Sequence, residues 1–270
     1  MKKIILFVLV SYSILSGLAQ ITPCEFQYGK TEKDSLKCWE EFSLFKNHYD
    51  QKNYAEAYLH WKNIVNLCPC SRNAIFNTTS LQNMFDYLIK TTDEKEIQNQ
   101  YIDELLNTVA TRHLYFPKHY TKGNGLGFKA FYMIRYRGEN TEDVMKAFDL
   151  FIESIEMEKE NTLPNILGIY FRIAEQIART QRDTTIIIDA YERTTHYIET
   201  AINNYYKELD KQISNFDNLK EIYERRQIQR DDYENRKQKL SQDTVSITQL
   251  INNYKITLKD IESIFAQFVP

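Results

Sequence analysis

Residues 38–70 read CWEEFSLFKNHYDQKNYAEAYLHWKNIVNLCPC, and their pattern decides the fold. Phe42, Phe45 and Tyr49, then Tyr54, Ala57, Tyr58, Trp61, Ile64 and Leu67, recur at helical spacing on either side of a polar break at residues 50–53. Two helices joined by a short turn, an antiparallel hairpin, are predicted. Ala57 is small enough to let the two helices approach closely, and Trp61 one turn later fills the gap to the next helix. Pro69 stops the second helix where the chain must turn.

The second half of the hairpin, KNYAEAYLHWKNIVNLCP, resembles the tetratricopeptide repeat. Tyr54, Ala57, Trp61, Ile64 and Pro69 stand where that repeat places its tyrosine, alanine, aromatic, apolar residue and proline. The first half departs from the family pattern, with Glu41 in place of a tryptophan and Phe45 in place of a glycine. Later stretches echo it. Ala147 and Phe151 repeat the Ala57, Trp61 spacing, and Leu167, Gly168 and Phe171 match the half that the first hairpin lacks. YIDELLNTVATRHLYF at 101–116, Leu126 with Gly127, and RYR at 135–137 extend the likeness to exported bacterial tetratricopeptide-repeat proteins. That resemblance implies an all-α superhelix of antiparallel hairpins acting as a protein-binding scaffold, with no catalytic residues to carry over.

Composition agrees with helices. Seven glycines and five prolines in 270 residues lie well below the roughly 7% and 5% of average chains. After Gly168 neither residue occurs until Pro270. Three regions are expected: a secretory signal peptide at 1–19, a helical repeat domain at 20–204, and a long charged helix with a terminal helix at 205–270. The signal peptide rests on Lys2 and Lys3, the apolar run after them, and the small residues before a cleavage point after Ala19. An uncleaved anchor is the alternative; Pro23 before Cys24 does not suit lipid attachment. No later segment has the unbroken apolar length to span a bilayer.

An exported chain makes disulfides of Cys24, Cys38, Cys68 and Cys70. Closing Cys68 onto Cys70 would strain a very small ring. Cys38 and Cys68 each lie roughly 20 Å from the hairpin turn on facing helices, so the expected pairs are Cys38 with Cys68 and Cys24 with Cys70. CxC with two distant cysteines lacks the usual zinc spacing, and no metal or other cofactor is expected.

The net charge of −3 argues against nucleic acid. No catalytic motif for acyl, phosphoryl or metal-assisted chemistry is present, and an enzyme is not expected. From Leu105 to Gly138 there is no acidic residue. Arg112, Lys118, Lys122, Lys129, Arg135 and Arg137 alternate there with aromatics that include Tyr115 and Tyr120, a basic aromatic patch suited to acidic peptides, anionic glycans or phosphate-bearing ligands. Residues 115–127 are expected to form a glycine-rich loop and Phe128–Tyr136 a short helix.

The charged run at 205–245 carries i,i+4 pairs, Glu221 with Arg225 and Asp232 with Arg236. It reads either as a projecting helix or short coiled coil, or as the solvated face of a solenoid helix. A final stripe of Leu250, Tyr254, Leu258, Ile261 and Phe265 has no polar cap, so further repeats beyond it or a partner over it are expected. The functional expectation is an adaptor in the periplasm or at the cell surface. It would hold a protein partner of the cell envelope and meet the membrane only through that partner. A glycan- or anion-binding module using residues 112–137 is the alternative.

Overall fold

The computed structural model describes residue 24 and residues 26–268; the expected signal peptide lies outside them. Among the described residues the structure is entirely helical, with no strand. In chain order, α1 spans Glu32–Asp50, α2 Tyr54–Leu67, α3 Thr78–Thr91, α4 Lys95–Tyr115 and α5 Lys122–Arg137. Then come α6 at Thr141–Glu158, α7 at Pro164–Gln181, α8 at Thr184–Glu224 and α9 at Arg230–Phe265. Each helix packs chiefly on its neighbours in sequence.

Local chemistry sets most boundaries. Thr31 and Asp34 close a capping box at the start of α1, and the Asn77, Thr121, Asn140 and Asp183 side chains accept from backbone N–H groups at the starts of α3, α5, α6 and α8. The cap of α3 is thus Asn77. Pro164 sits in the first turn of α7, where its missing N–H costs little.

The hairpin at 38–70 forms as read. Ala57 and Trp61 are buried, and Trp61 Nε1–H donates to the Ile75 carbonyl at 2.9 Å while the indole meets Phe85 edge-on. Glu41, the departure from the repeat pattern, lies 2.8 Å from His60 Nδ1 across the same hairpin. Burial pushes its carboxyl up. Hydrogen bonds from His60 and Asn63 and the electrostatic influence of His60 and Lys37 outweigh that and hold it below the usual carboxylate range. Both disulfides join the expected partners, Cys38 with Cys68 and Cys24 with Cys70, at Cα separations of 6.2 and 5.5 Å.

The stretch expected as a loop up to Gly127 is helical from Lys122, so Gly123, Gly125 and Gly127 open α5 instead of preceding it. Glycine costs about 1 kcal/mol relative to alanine inside a helix, and close packing is what requires it here. A Cβ at Gly125 would stand 2.8 Å from the Val109 carbonyl of α4, and one at Gly127 would stand 2.7 Å from Ser154 Oγ of α6. The start of α5 is therefore wedged between α4 and α6. Ser154 completes the contact by donating its hydroxyl to the Gly123 carbonyl at 2.7 Å.

Helices α8 and α9 form a long antiparallel hairpin. Its base is anchored: Tyr254 donates to the Thr162 carbonyl at 2.7 Å, Phe265 stacks on Tyr191, and Thr257 packs on Gly168 of α7. Tyr254 and Ile261, from the terminal stripe expected to need more repeats or a partner, are buried by this packing. Further out, Leu219 alone is buried among residues 202–250. The ion pairs there, Glu221 with Arg225 and Asp232 with Arg236, lie within single helices. Of the two readings of the charged run, the projecting one fits this burial.

Two expected outcomes follow from this packing. Gly125→Ala gains helix propensity yet forces a methyl against a backbone carbonyl, and urea unfolding is expected to show a loss of about 1–3 kcal/mol; a gain would mean that α4 and α5 are not in close contact. Amides of the outer arm, residues 207–245, are expected to exchange with deuterium well before those of α2 and α4, because so little apolar surface holds the arm together.

Candidate functional site

The basic aromatic stretch is divided by the fold. Arg112 belongs to the core: it is 1% exposed, and its guanidinium lies 4.2 Å from the ring centre of Tyr120 and 4.8 Å from that of Phe128. Its Nη1 donates to Thr78 Oγ1 at 2.7 Å and its Nη2 to Asn124 Oδ1 at 3.0 Å. Burial lowers its pKa, and the neighbouring Tyr120 and Tyr132 act in the opposite direction. Burial in turn pushes the Tyr132 phenol up to about 12. Arg112 therefore ties the starts of α3 and α5 to the end of α4, and it cannot serve as the surface contact expected of it.

Three of the other basic residues, Lys122, Arg135 and Arg137, meet acids on other helices. Arg135 pairs with Asp86 of α3 at 2.6 Å, and Tyr136 donates its hydroxyl to the same carboxylate. Arg137 pairs with Asp103 of α4 at 2.8 Å, and Lys122 approaches Glu153 of α6 at 3.8 Å. Tyr115 stacks on Phe76, and Tyr120 covers Arg112. Lys118 is exposed in the turn before α5. A window free of acids in sequence is thus answered by acids in space, because helices 30 to 50 residues apart in the chain supply the counter-charges.

One open groove does collect part of the stretch. It lies over α4, α5 and α6, has a volume of about 540 Å³, and rests on Leu106, Met133 and Leu150. Lys129 and Arg137 line it together with Asp103, Lys146, Asp149 and Glu153. Arg137 is held by Asp103, and Lys146 by Glu142. Among the described residues Lys129, Asp143 and Asp149, all lining the groove, make no ion pair, so it presents one uncommitted positive charge and two uncommitted negative ones. The acids on this wall escaped the sequence reading, which selected a window lacking them. The signal that marks them is the helical spacing of Asp143, Lys146, Asp149, Leu150 and Glu153, a charged stripe on one face of α6.

Among the described residues no group of His, Cys, Asp and Glu side chains is placed to hold a metal ion, and no helix is long and apolar enough to cross a membrane. The two disulfides suit an oxidising, exported environment.

The distinction between core and surface cations is measurable. Arg112→Ala removes a buried guanidinium and leaves the Thr78 and Asn124 side chains without their donor, so a loss of about 3 kcal/mol in chemical unfolding is expected. Lys118→Ala should lie within about 0.5 kcal/mol of the parent. Compared with known proteins, the chain matches no family model, no curated protein and no solved structure.

Proposed function

We propose that this chain is an exported scaffold of the tetratricopeptide-repeat type, without enzymatic activity, that holds a segment of a partner protein in the groove over α4, α5 and α6. The observation that carries the reading is the groove itself, open along three helices and floored by Leu106, Met133 and Leu150, with Lys129 and Asp149 unpaired on its walls. Apolar floor and charged rim match the usual anatomy of a protein interface. The superhelical stacking typical of the repeat family is part of the same proposal. It draws on the hairpin signature at Tyr54, Ala57, Trp61, Ile64 and Pro69 and on the neighbour-to-neighbour helix packing. Export to the periplasm or cell surface rests on the signal-like leader and on the disulfides. The glycan-binding alternative is weakened by the packing of its aromatic residues, since Tyr120, Phe128, Phe131, Tyr132 and Tyr136 all pack against the core.

The test is affinity capture from envelope extract with the parent protein and with a Lys129→Glu, Asp149→Lys double variant. Reversing both charges leaves the net charge unchanged and touches no ion pair. Partners captured by the parent are expected to be lost by the double variant and kept by Arg225→Glu, Arg226→Glu on the arm. Loss with the arm variant alone would move the binding surface to α8 and α9.

A further inference from the structure

The two disulfides fix more than the hairpin. They hold together three segments of chain, and each segment places one member of a stack: Tyr28 shortly after Cys24, Trp39 next to Cys38, and Arg72 shortly after Cys70. Tyr28 and Trp39 stack with ring centres 5.7 Å apart. The Arg72 guanidinium lies 4.3 Å from the centre of the Trp39 ring and 4.4 Å from that of Phe42, one turn further along α1. Arg72 is half-buried. Among the described residues its guanidinium makes no ion pair and no hydrogen bond, and the rings of Trp39 and Phe42 are its contacts.

This arrangement settles where an arginine's donors are available. Ring contacts on both Trp39 and Phe42 hold the guanidinium still, so little rotamer freedom is left to lose on binding, and its N–H fork matches a carboxylate in two parallel hydrogen bonds. The stack opens onto a second groove of about 330 Å³ along α1, where Lys46 and Asp50 join Ser43 and Asn47. Arg72 and Lys46 against Asp50 leave one net positive charge, which suits a singly charged carboxylate better than a doubly charged phosphate. Leu36, 68% exposed, continues the same face of α1 one turn before Trp39, itself 46% exposed. From Leu36 to Asp50 this face runs roughly 21 Å at the helical rise of about 1.5 Å per residue. An extended peptide of several residues fits that length. The aromatic rings are already engaged by Tyr28 and Arg72, which leaves little open ring face for a sugar to stack on.

We propose that Arg72 anchors a carboxylate-binding site for an acidic peptide segment of a partner protein, laid along the outer face of α1. The proposal rests on the scaffold reading but uses a different surface from the groove over α4 to α6.

Trp39 is itself the reporter. The chain has two tryptophans, and Trp61→Phe leaves Trp39 as the only one, so tryptophan-selective excitation reads it alone. In that background, a capped pentapeptide with one central glutamate flanked by apolar residues is expected to shift the Trp39 emission saturably. Its glutamine counterpart should bind about tenfold more weakly or not at all. Arg72→Lys, which keeps the charge but not the fork, is expected to weaken the glutamate peptide about tenfold while leaving the melting temperature unchanged. No saturable response to the glutamate peptide, or an equal affinity in Arg72→Lys, overturns the proposal. So does saturable binding of oligogalacturonate with no response to the peptide, which would make this a glycan site. The groove variant Lys129→Glu, Asp149→Lys is expected to bind the peptide as the parent does. If it does so while the parent and groove variants capture the same partners, the groove reading fails and this one stands; loss of peptide binding in Arg72→Lys is independent of that result.

Discussion

Close approach of helix to helix is the constraint on which the rest of this molecule depends. Each helix between the first and the last must bury apolar surface on more than one neighbour, and where it does so at short range a side chain has been reduced to a methyl or a hydrogen. Ala57 serves α2, Ala147 serves α6, and Gly125 and Gly127 serve α5. At the start of α5 the contact is so close that a Cβ would collide with a carbonyl of α4 and a hydroxyl of α6. Toward its other end Met133, with Leu106 and Leu150, lies under the open groove.

Charge follows the same geometry. Burial is costly for a guanidinium unless hydrogen bonds and ring contacts replace water, and Arg112 satisfies that condition with Thr78, Asn124, Tyr120 and Phe128. Arg135 and Arg137 are settled by Asp86 and Asp103 on helices that precede them by 34 residues or more. Among the described residues the charges that line the two grooves without an ion pair are Lys129, Asp143 and Asp149 in one and Arg72, Lys46 and Asp50 in the other. Recognition by this protein is best sought among those groups, because a charge already paired inside the fold has less to offer a partner.

The two ends of the chain are stabilised by opposite means. Cys24–Cys70 and Cys38–Cys68 staple the beginning, so that a short segment, a helix and a loop act as one rigid unit. The far end is a slender pair of helices in which Tyr254 and Ile261 bury the base and Leu219 alone is buried in the outer part. Rigidity at the first end favours a preformed binding stack, whereas the outer arm is free to open locally.

The sequence by itself determined the features that are local or periodic. The helical hairpin at 38–70, the general absence of strands, the two disulfide pairs and the i,i+4 ion pairs of the arm all depend on spacings along one or two helices. Such spacings are visible in a single chain. Only the tertiary structure decided what the glycines at 123, 125 and 127 were for, since a turn and a tight helix contact ask for the same residue and differ only in what stands opposite it. The same holds for the basic stretch. Arg112, Lys118 and Arg135 look alike in sequence, yet one is core, one is exposed and one is paired, because the acids and rings that meet them come from helices distant in the chain. Arg72 belongs to this second class as well: nothing near it in sequence marks it, and only the disulfides bring Trp39 and Phe42 to its guanidinium.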